Sequence, residues 1–181
     1  MTDLKLFKRT EKRLVGSLQP TTDAETSARM GRIRQRGTAP ELLVRQACRR
    51  LGMRYQTSNE DLPGSPDLAN RSRRWAIFVH GCFWHRHPGC SKATIPKRNT
   101  AFWAAKFERN AERDRVARAR LRRISFQVLT LWQCEVESPD VLGRRLRKFV
   151  HSSEWALQSV VEKRLRDVHT VLRIHDEETT R

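Results

Sequence analysis

At 181 residues the chain suits one domain with short extensions, and it has no apolar run long enough to form a transmembrane helix. Its 37 Lys plus Arg against 20 Asp plus Glu give a net charge of +17. That charge points to a polyanionic partner, nucleic acid ahead of an anionic membrane or an acidic protein, through a phosphate term that carries no sequence specificity.

Residues 1–25 hold Lys5, Lys8, Arg9, Lys12 and Arg13, show no apolar period and end in Gln19-Pro20-Thr21-Thr22-Asp23. They read as a flexible basic arm. Thr26 to Arg34 has the spacing of a short helix that Gly37 stops. Thr38-Ala39-Pro40-Glu41 then opens a second helix through a capping box, with Thr38 as N-cap and Glu41 at N3. Leu42, Leu43, Ala47, Cys48 and Leu51 recur at helical period up to Gly52 and are the expected buried stripe. Met53-Arg54-Tyr55-Gln56 reads as a short strand, and the prolines of Asp61-Leu62-Pro63-Gly64-Ser65-Pro66 impose a loop.

Asp67-Leu68-Ala69 and Trp75-Ala76-Ile77-Phe78-Val79 read as two strands around the turn at Asn70-Arg71-Ser72-Arg73. Residues 99–123 predict a long charged helix, Phe126 to Trp132 a third strand, and Pro139 to Val150 another helix. Beyond residue 152, Leu157, Val161, Leu165, Val168 and Leu172 predict an amphipathic helical extension. The order of helices and strands indicates an α/β layered domain.

Between the second strand and the long helix lies Phe78-Val79-His80-Gly81-Cys82-Phe83-Trp84-His85-Arg86-His87-Pro88-Gly89-Cys90. Cys82, His87 and Cys90 form a C-x4-H-x2-C pattern, and Cys134 completes a Cys₃His set of the kind that closes a tetrahedral, structural zinc site. His85 is an alternative to His87 as the imidazole ligand. Reduced thiolates and the lack of an apolar leader ahead of them point to a cytoplasmic protein. Cys48, among leucines and valine at helical spacing, reads as a small core residue.

Pro66-Asp67 at the start of one strand and His80 at the end of the next place a carboxylate near the Val79 carbonyl and an imidazole. This arrangement can seat a hard cation and its water. Phe83 and Trp84 occupy a loop too small to bury both rings within itself, so they are expected to wedge into DNA, where a mismatched step costs least to open.

Asp61 to Asp67, Phe78 to His85, Thr100-Ala101-Phe102-Trp103, Asn110 to Arg115 and Leu131-Trp132-Gln133-Cys134-Glu135 together closely resemble the very-short-patch repair (Vsr) endonucleases. The resemblance runs from about Thr26 to about Val150. It implies a restriction-endonuclease-like (PD-(D/E)xK) core over residues 26–151, with a central mixed sheet flanked by helices and a structural zinc site. In this chain Val79 and His80 stand where that superfamily has its second acid and its lysine.

The resemblance further implies a bacterial, nucleoid-associated monomer that acts on double-stranded DNA. It would use Mg²⁺ to nick one strand 5′ to the thymine of a T·G mismatch, in functional pairing with a cytosine methyltransferase and with mismatch-repair factors. Carried over by position, Asp67 and the Val79 carbonyl would hold Mg²⁺, and His85 would activate water. His80 and Asp114 would form an imidazole–carboxylate pair near the leaving group, and Glu41 would face the same cleft. Phe83, Trp84 and Trp103 would enter the base stack from one groove, with Met30 entering from the other.

Glu41 is equally explained as a capping residue, and Trp103 and Met30 as ordinary helix packing. Three other activities remain open on the sequence: a nickase indifferent to mismatches, a non-catalytic zinc-stabilised DNA-binding module, and an RNA-processing protein whose exposed aromatics stack on single-stranded bases.

Overall fold

The computed structural model of the chain describes residue 28, residues 31–32 and residues 36–152. The basic arm, Met30 and the predicted extension after residue 152 lie outside the described residues. None of the described helices is long and apolar enough to cross a membrane.

Helix α1 (Ala39–Arg50) starts where predicted. The Glu41 carboxylate turns back over the helix start and accepts from the backbone N–H groups of Gly37 (2.9 Å) and Thr38 (3.4 Å) and from the Thr38 hydroxyl (2.8 Å). The N-cap N–H and two donors beside it are thereby satisfied by one carboxylate. The helix ends at Gly52, whose φ of +67° suits a residue without Cβ.

The buried face of α1 differs from the predicted stripe. Glu41, Val44 and Cys48 point inward, whereas Leu42 and Leu43 are 54% and 42% exposed. Residues at i, i+3 and i+7 share a face, and the anchoring of Glu41 fixes which face that is. Leu42 and Leu43 are rotated away from it.

Met53 to Gln56 also departs from expectation. It forms no strand, and only Gln56 pairs, in a single antiparallel bridge to Ala69. The loop that follows is held instead by side chains. Buried Asn59 donates to the carbonyls of Gln56 and Pro66, each at 2.9 Å. Arg71 donates to Asn59 Oδ1 (3.0 Å) and grips Asp61 (2.6 Å). This network fixes the peptide just before Asp67.

Strands β1 (Leu68–Asn70) and β2 (Trp75–His80) are antiparallel, with Leu68 opposite Ile77. Strand β3 (Gln127–Trp132) runs parallel to β2, with Val79 opposite Leu131 and His80 opposite Trp132. A parallel pair cannot be joined by a tight turn. The cysteine- and histidine-rich loop and helix α2 (Thr100–Arg123) make the crossover. A short helix, α3 (Gln133–Val136), not anticipated from the sequence, follows β3, and helix α4 covers residues 139–152.

Strand β2 is buried on both faces, as a near-continuous apolar run requires of a central strand. Trp75 and Ile77 pack with Val44, Cys48, Leu142, Leu146 and Phe149 of α1 and α4. Ala76 and Phe78 pack on the other side with Ala117 and Leu121 of α2. The result is a three-stranded mixed sheet between helices. On the far side of β3, Arg145 of α4 donates to the Thr130 carbonyl at 2.9 Å.

Gly64 has φ +77°, and a Cβ there would lie 2.5 Å from the Ala117 Cβ and 3.3 Å from the Phe78 ring. Left-handed backbone costs about 1–2 kcal/mol for an L-residue, and overpacking about 1–3 kcal/mol more. Gly64→Ala is therefore expected to destabilise the fold by about 2–5 kcal/mol. Denaturant unfolding checks this: a midpoint equal to wild type would show that the loop does not pack on α2 as described.

Candidate active site and metal centre

Three groups of polar side chains meet at the C-terminal end of β2 and the ends of its neighbours. The first is a carboxylate cleft. Asp67 precedes β1, and its Oδ2 accepts from the Val79 N–H across the strand pair at 2.7 Å, so Val79 holds this carboxylate through its amide. The cleft is also lined by Glu41, Arg45, Arg36, Glu60 and Asn59. Burial pushes the Asp67 carboxyl up to about 6; the Val79 N–H opposes the rise, and the neighbouring Glu41 charge adds to it. A half-buried carboxylate held above its usual pKa beside the buried Glu41 carboxylate is a pair that a bound cation would stabilise in the ionised form.

The second group is a histidine pair with one acid. His80 ends β2, His85 lies in the following loop, and Asp114 comes from the middle of α2. The imidazoles stack at 3.9 Å between centroids and 10° between planes. His85 Nδ1 is 2.5 Å from Asp114 Oδ2, while His80 Nδ1 is 3.9 Å from it. The close imidazole–carboxylate pair is thus His85–Asp114, and His80 sits behind it.

Burial is the main cause, and the adjacent His85 the next, that holds His80 down at about 3. His80 is therefore neutral at physiological pH, and its Nδ1 is buried without a hydrogen-bond partner. Burial alone would raise Asp114, but chiefly the hydrogen bond from His85 holds its pKa below the usual value.

The third group comprises Cys82, His87, Cys90 and Cys134, whose ligand atoms all lie within 4.8 Å of one another. His87 Nδ1 is 3.7 Å from Cys82 Sγ and 3.2 Å from Cys134 Sγ. His87 also stacks on Trp132 at 4.3 Å, which fixes its ring. His85 is engaged with Asp114 instead, so the alternative ligand set finds no support in this geometry. All four cysteines of the chain are free thiols. Burial and then the neighbouring Cys82 and Cys90 push the Cys134 thiol up to about 12. Three thiols and an imidazole gathered this closely fit a tetrahedral metal ion, whose charge would reverse that opposition to ionisation.

Beside these groups Phe83, Trp84, Trp103 and Phe107 form an edge-to-face cluster, with Phe83 5.0 Å from Trp84 and 5.3 Å from Trp103. The loop does not have to bury its two rings alone, because α2 supplies a wall. Phe83, Trp84 and Trp103 are nonetheless only partly buried. Lys106 lies over Trp84, Phe102 and Trp103 at 5.4–5.6 Å, and Asn110 donates to the Trp84 carbonyl at 2.9 Å.

Sequence reading missed Arg45, Asn59, Arg71 and Lys106. Arg45 was signalled by its position one turn after Glu41, and Lys106 by its place between aromatic residues. Nothing local marks Asn59 and Arg71.

A family model described as DNA mismatch endonuclease Vsr matches residues 20–92. The type II nicking enzyme V.XorIIP of Xanthomonas oryzae pv. oryzae is 40% identical over 124 residues, covering 68% of this chain and 90% of the relative. The type II nicking enzyme V.NmeAIP of Neisseria meningitidis is 36% identical over 129 residues, covering 71% and 91%. The DNA mismatch endonuclease Vsr of Escherichia coli is 35% identical over 132 residues, covering 70% and 84%.

Proposed function

The chain belongs to the Vsr family and is a DNA-nicking endodeoxyribonuclease, and from that premise we propose that it nicks one strand of double-stranded DNA 5′ to the thymine of a T·G mismatch, using Mg²⁺. The observation that carries the reading is the convergence of a paired-carboxylate cleft, a His–Asp dyad and a partly exposed aromatic wedge at one end of a sheet. We assign the sheet and its flanking helices to the PD-(D/E)xK class, with Asp67 in the position of that class's first acid.

Asp67 and Glu41 would hold the divalent ion, with the Val79 carbonyl as a further oxygen ligand. The bound ion would act as a Lewis acid on the scissile phosphate. Asp114 accepts the Nδ1 proton of His85, which leaves Nε2 as the basic nitrogen able to take a proton from water. His80, neutral and stacked behind His85, would keep that ring in plane from its buried position. Cys82, His87, Cys90 and Cys134 would hold a structural Zn²⁺ that takes no part in the chemistry, since its four protein ligands leave no open position. The protein would do this work in the bacterial cytoplasm as a monomer.

The direct test is nicking of labelled T·G, C·G and methyl-C·G duplexes of one sequence in Mg²⁺. Preference for T·G supports the proposal. Equal cutting of all three would replace it with a mismatch-independent nickase.

Lesion selectivity is assigned to Phe83, Trp84 and Trp103, and by resemblance to Met30. A base–aromatic stack is worth about 1–3 kcal/mol, so Trp84→Ala is expected to weaken T·G binding by that amount. The matched duplex should lose less, because its step costs more to open. Salt dependence should hardly change, since no phosphate contact is removed. Because Trp84 also packs on Phe83 and Trp103, thermal melting of the variant must accompany the affinity titrations. Equal losses on T·G and C·G duplexes in a folded variant would show that the wedge does not select the mismatch.

A further inference from the structure

Arg45 stands in the carboxylate cleft and has no part in the chemistry assigned above. It lies one turn after Glu41 on α1, a spacing that brings side chains together, and its Nη2 is 3.3 Å from Glu41 Oε2. That single long contact spends little of a guanidinium's capacity, and the Arg45 Nε is buried with no hydrogen-bond partner. An unpaired buried donor is costly. What offsets that cost here is the field of Glu41 and Asp67, which share the cleft with Arg45. The guanidinium in turn favours the ionised form of Asp67.

Glu41, Glu60 and Asp67 face Arg36 and Arg45, and Arg36 pairs with Glu60 at 2.7 Å. Once ionised, the cleft carries one net negative charge. A divalent ion added to it overshoots to a net positive charge, and a single phosphodiester restores neutrality. Glu41 does not depend on Arg45 to stay in place, since three other donors at the helix start hold it.

We propose that Arg45 is the resident cation of this cleft, a positioning residue that stands beside Glu41 and Asp67 and weakens loading of a divalent ion until a DNA phosphate arrives. The inference rests on the assignment of Asp67 as a metal ligand. It makes the DNA-free protein a poor binder of the ion despite its paired carboxylates, Glu41 buried and Asp67 half-buried. Removing one positive charge at this range, in a partly solvated cleft, is worth about tenfold in affinity.

The test is Mn²⁺ titration of the full-length, zinc-containing, DNA-free protein, followed by electron paramagnetic resonance at constant ionic strength. Arg45→Gln is expected to bind Mn²⁺ about tenfold more tightly than wild type, and Arg45→Lys to behave like wild type. Asp67→Asn should lose the ion. Arg45→Met, which keeps the aliphatic stem, reads the same quantity should the glutamine variant fold poorly. Unchanged or weaker Mn²⁺ binding in the neutral variants, with binding still lost in Asp67→Asn, would overturn the role of Arg45 and leave the ligand assignment standing. Binding that survives Asp67→Asn would overturn both.

Discussion

Replacing Asp67 with asparagine is expected to abolish nicking, by about 10³-fold or more, while leaving DNA affinity within a few-fold of wild type. The chemical step needs a charged oxygen ligand for the ion. Binding rests mainly on contacts of Lys and Arg with phosphate, which the substitution does not touch. An asparagine oxygen can still accept from the Val79 N–H that now holds Oδ2, so the loop should keep its position.

The same substitution has an opposite effect on stability. Because the Asp67 carboxyl is raised to about 6 in the folded protein, folding takes up a proton between the unfolded value near 4 and that pH. Metal-free stability therefore falls as pH rises through this window, by roughly 3 kcal/mol at the upper end. Asp67→Asn should remove that pH-dependent loss. The measurements are single-turnover nicking in Mg²⁺, DNA affinity, and chelator-treated unfolding at pH 5 and pH 8. Wild-type nicking by the variant would rule out Asp67 as a metal ligand.

Cys134→Ser is expected to cost the protein its zinc and most of its stability. Cys82 and Cys134 lie 52 positions apart, and between them runs the whole crossover, including His85 and Asp114. Closing a loop of this length through a cross-link is worth about 4 kcal/mol in chain entropy. That is a large part of the 5–15 kcal/mol that stabilises a typical domain. Elemental analysis of chelator-washed protein should find one zinc per chain in wild type and none in the variant, with a melting transition lowered or lost. A folded, active and metal-free wild-type preparation would remove the zinc assignment.

The start of α1, the extents of β2, α2 and β3, and the gathering of Cys82, His87, Cys90 and Cys134 were legible because each rests on a local cue: a capping box, an apolar run, or ligand spacing. What the sequence could not convey depends on tertiary partners. Leu42 and Leu43 fit a helical stripe as well as Val44 does, and only the sheet beneath decides that Glu41, Val44 and Cys48 go inward. Met53 to Gln56 has strand-like residues but finds only Ala69 to pair with. Asp114 was expected to serve His80, yet the rings stack so that His85 lies nearer to it, an outcome of how α2 crosses the loop. Phe83 and Trp84 were expected to lack cover, because a loop read in isolation omits the helix that packs on it.

Arg145, which donates to the Thr130 carbonyl, bears on self-association. Among the described residues β3 pairs with β2 alone, and an unpaired strand border is a template for another chain. The guanidinium occupies the Thr130 carbonyl of that border, and at the start of the strand the Gln127 side chain donates to the Ser152 carbonyl at 3.3 Å. An incoming strand would have to displace the Arg145 side chain and the helix that carries it, α4, whose Leu142, Leu146 and Phe149 are embedded in the core. Among the described residues, intermolecular β-pairing at this border is thus opposed by α4 and by the Arg145 side chain that already occupies its carbonyl.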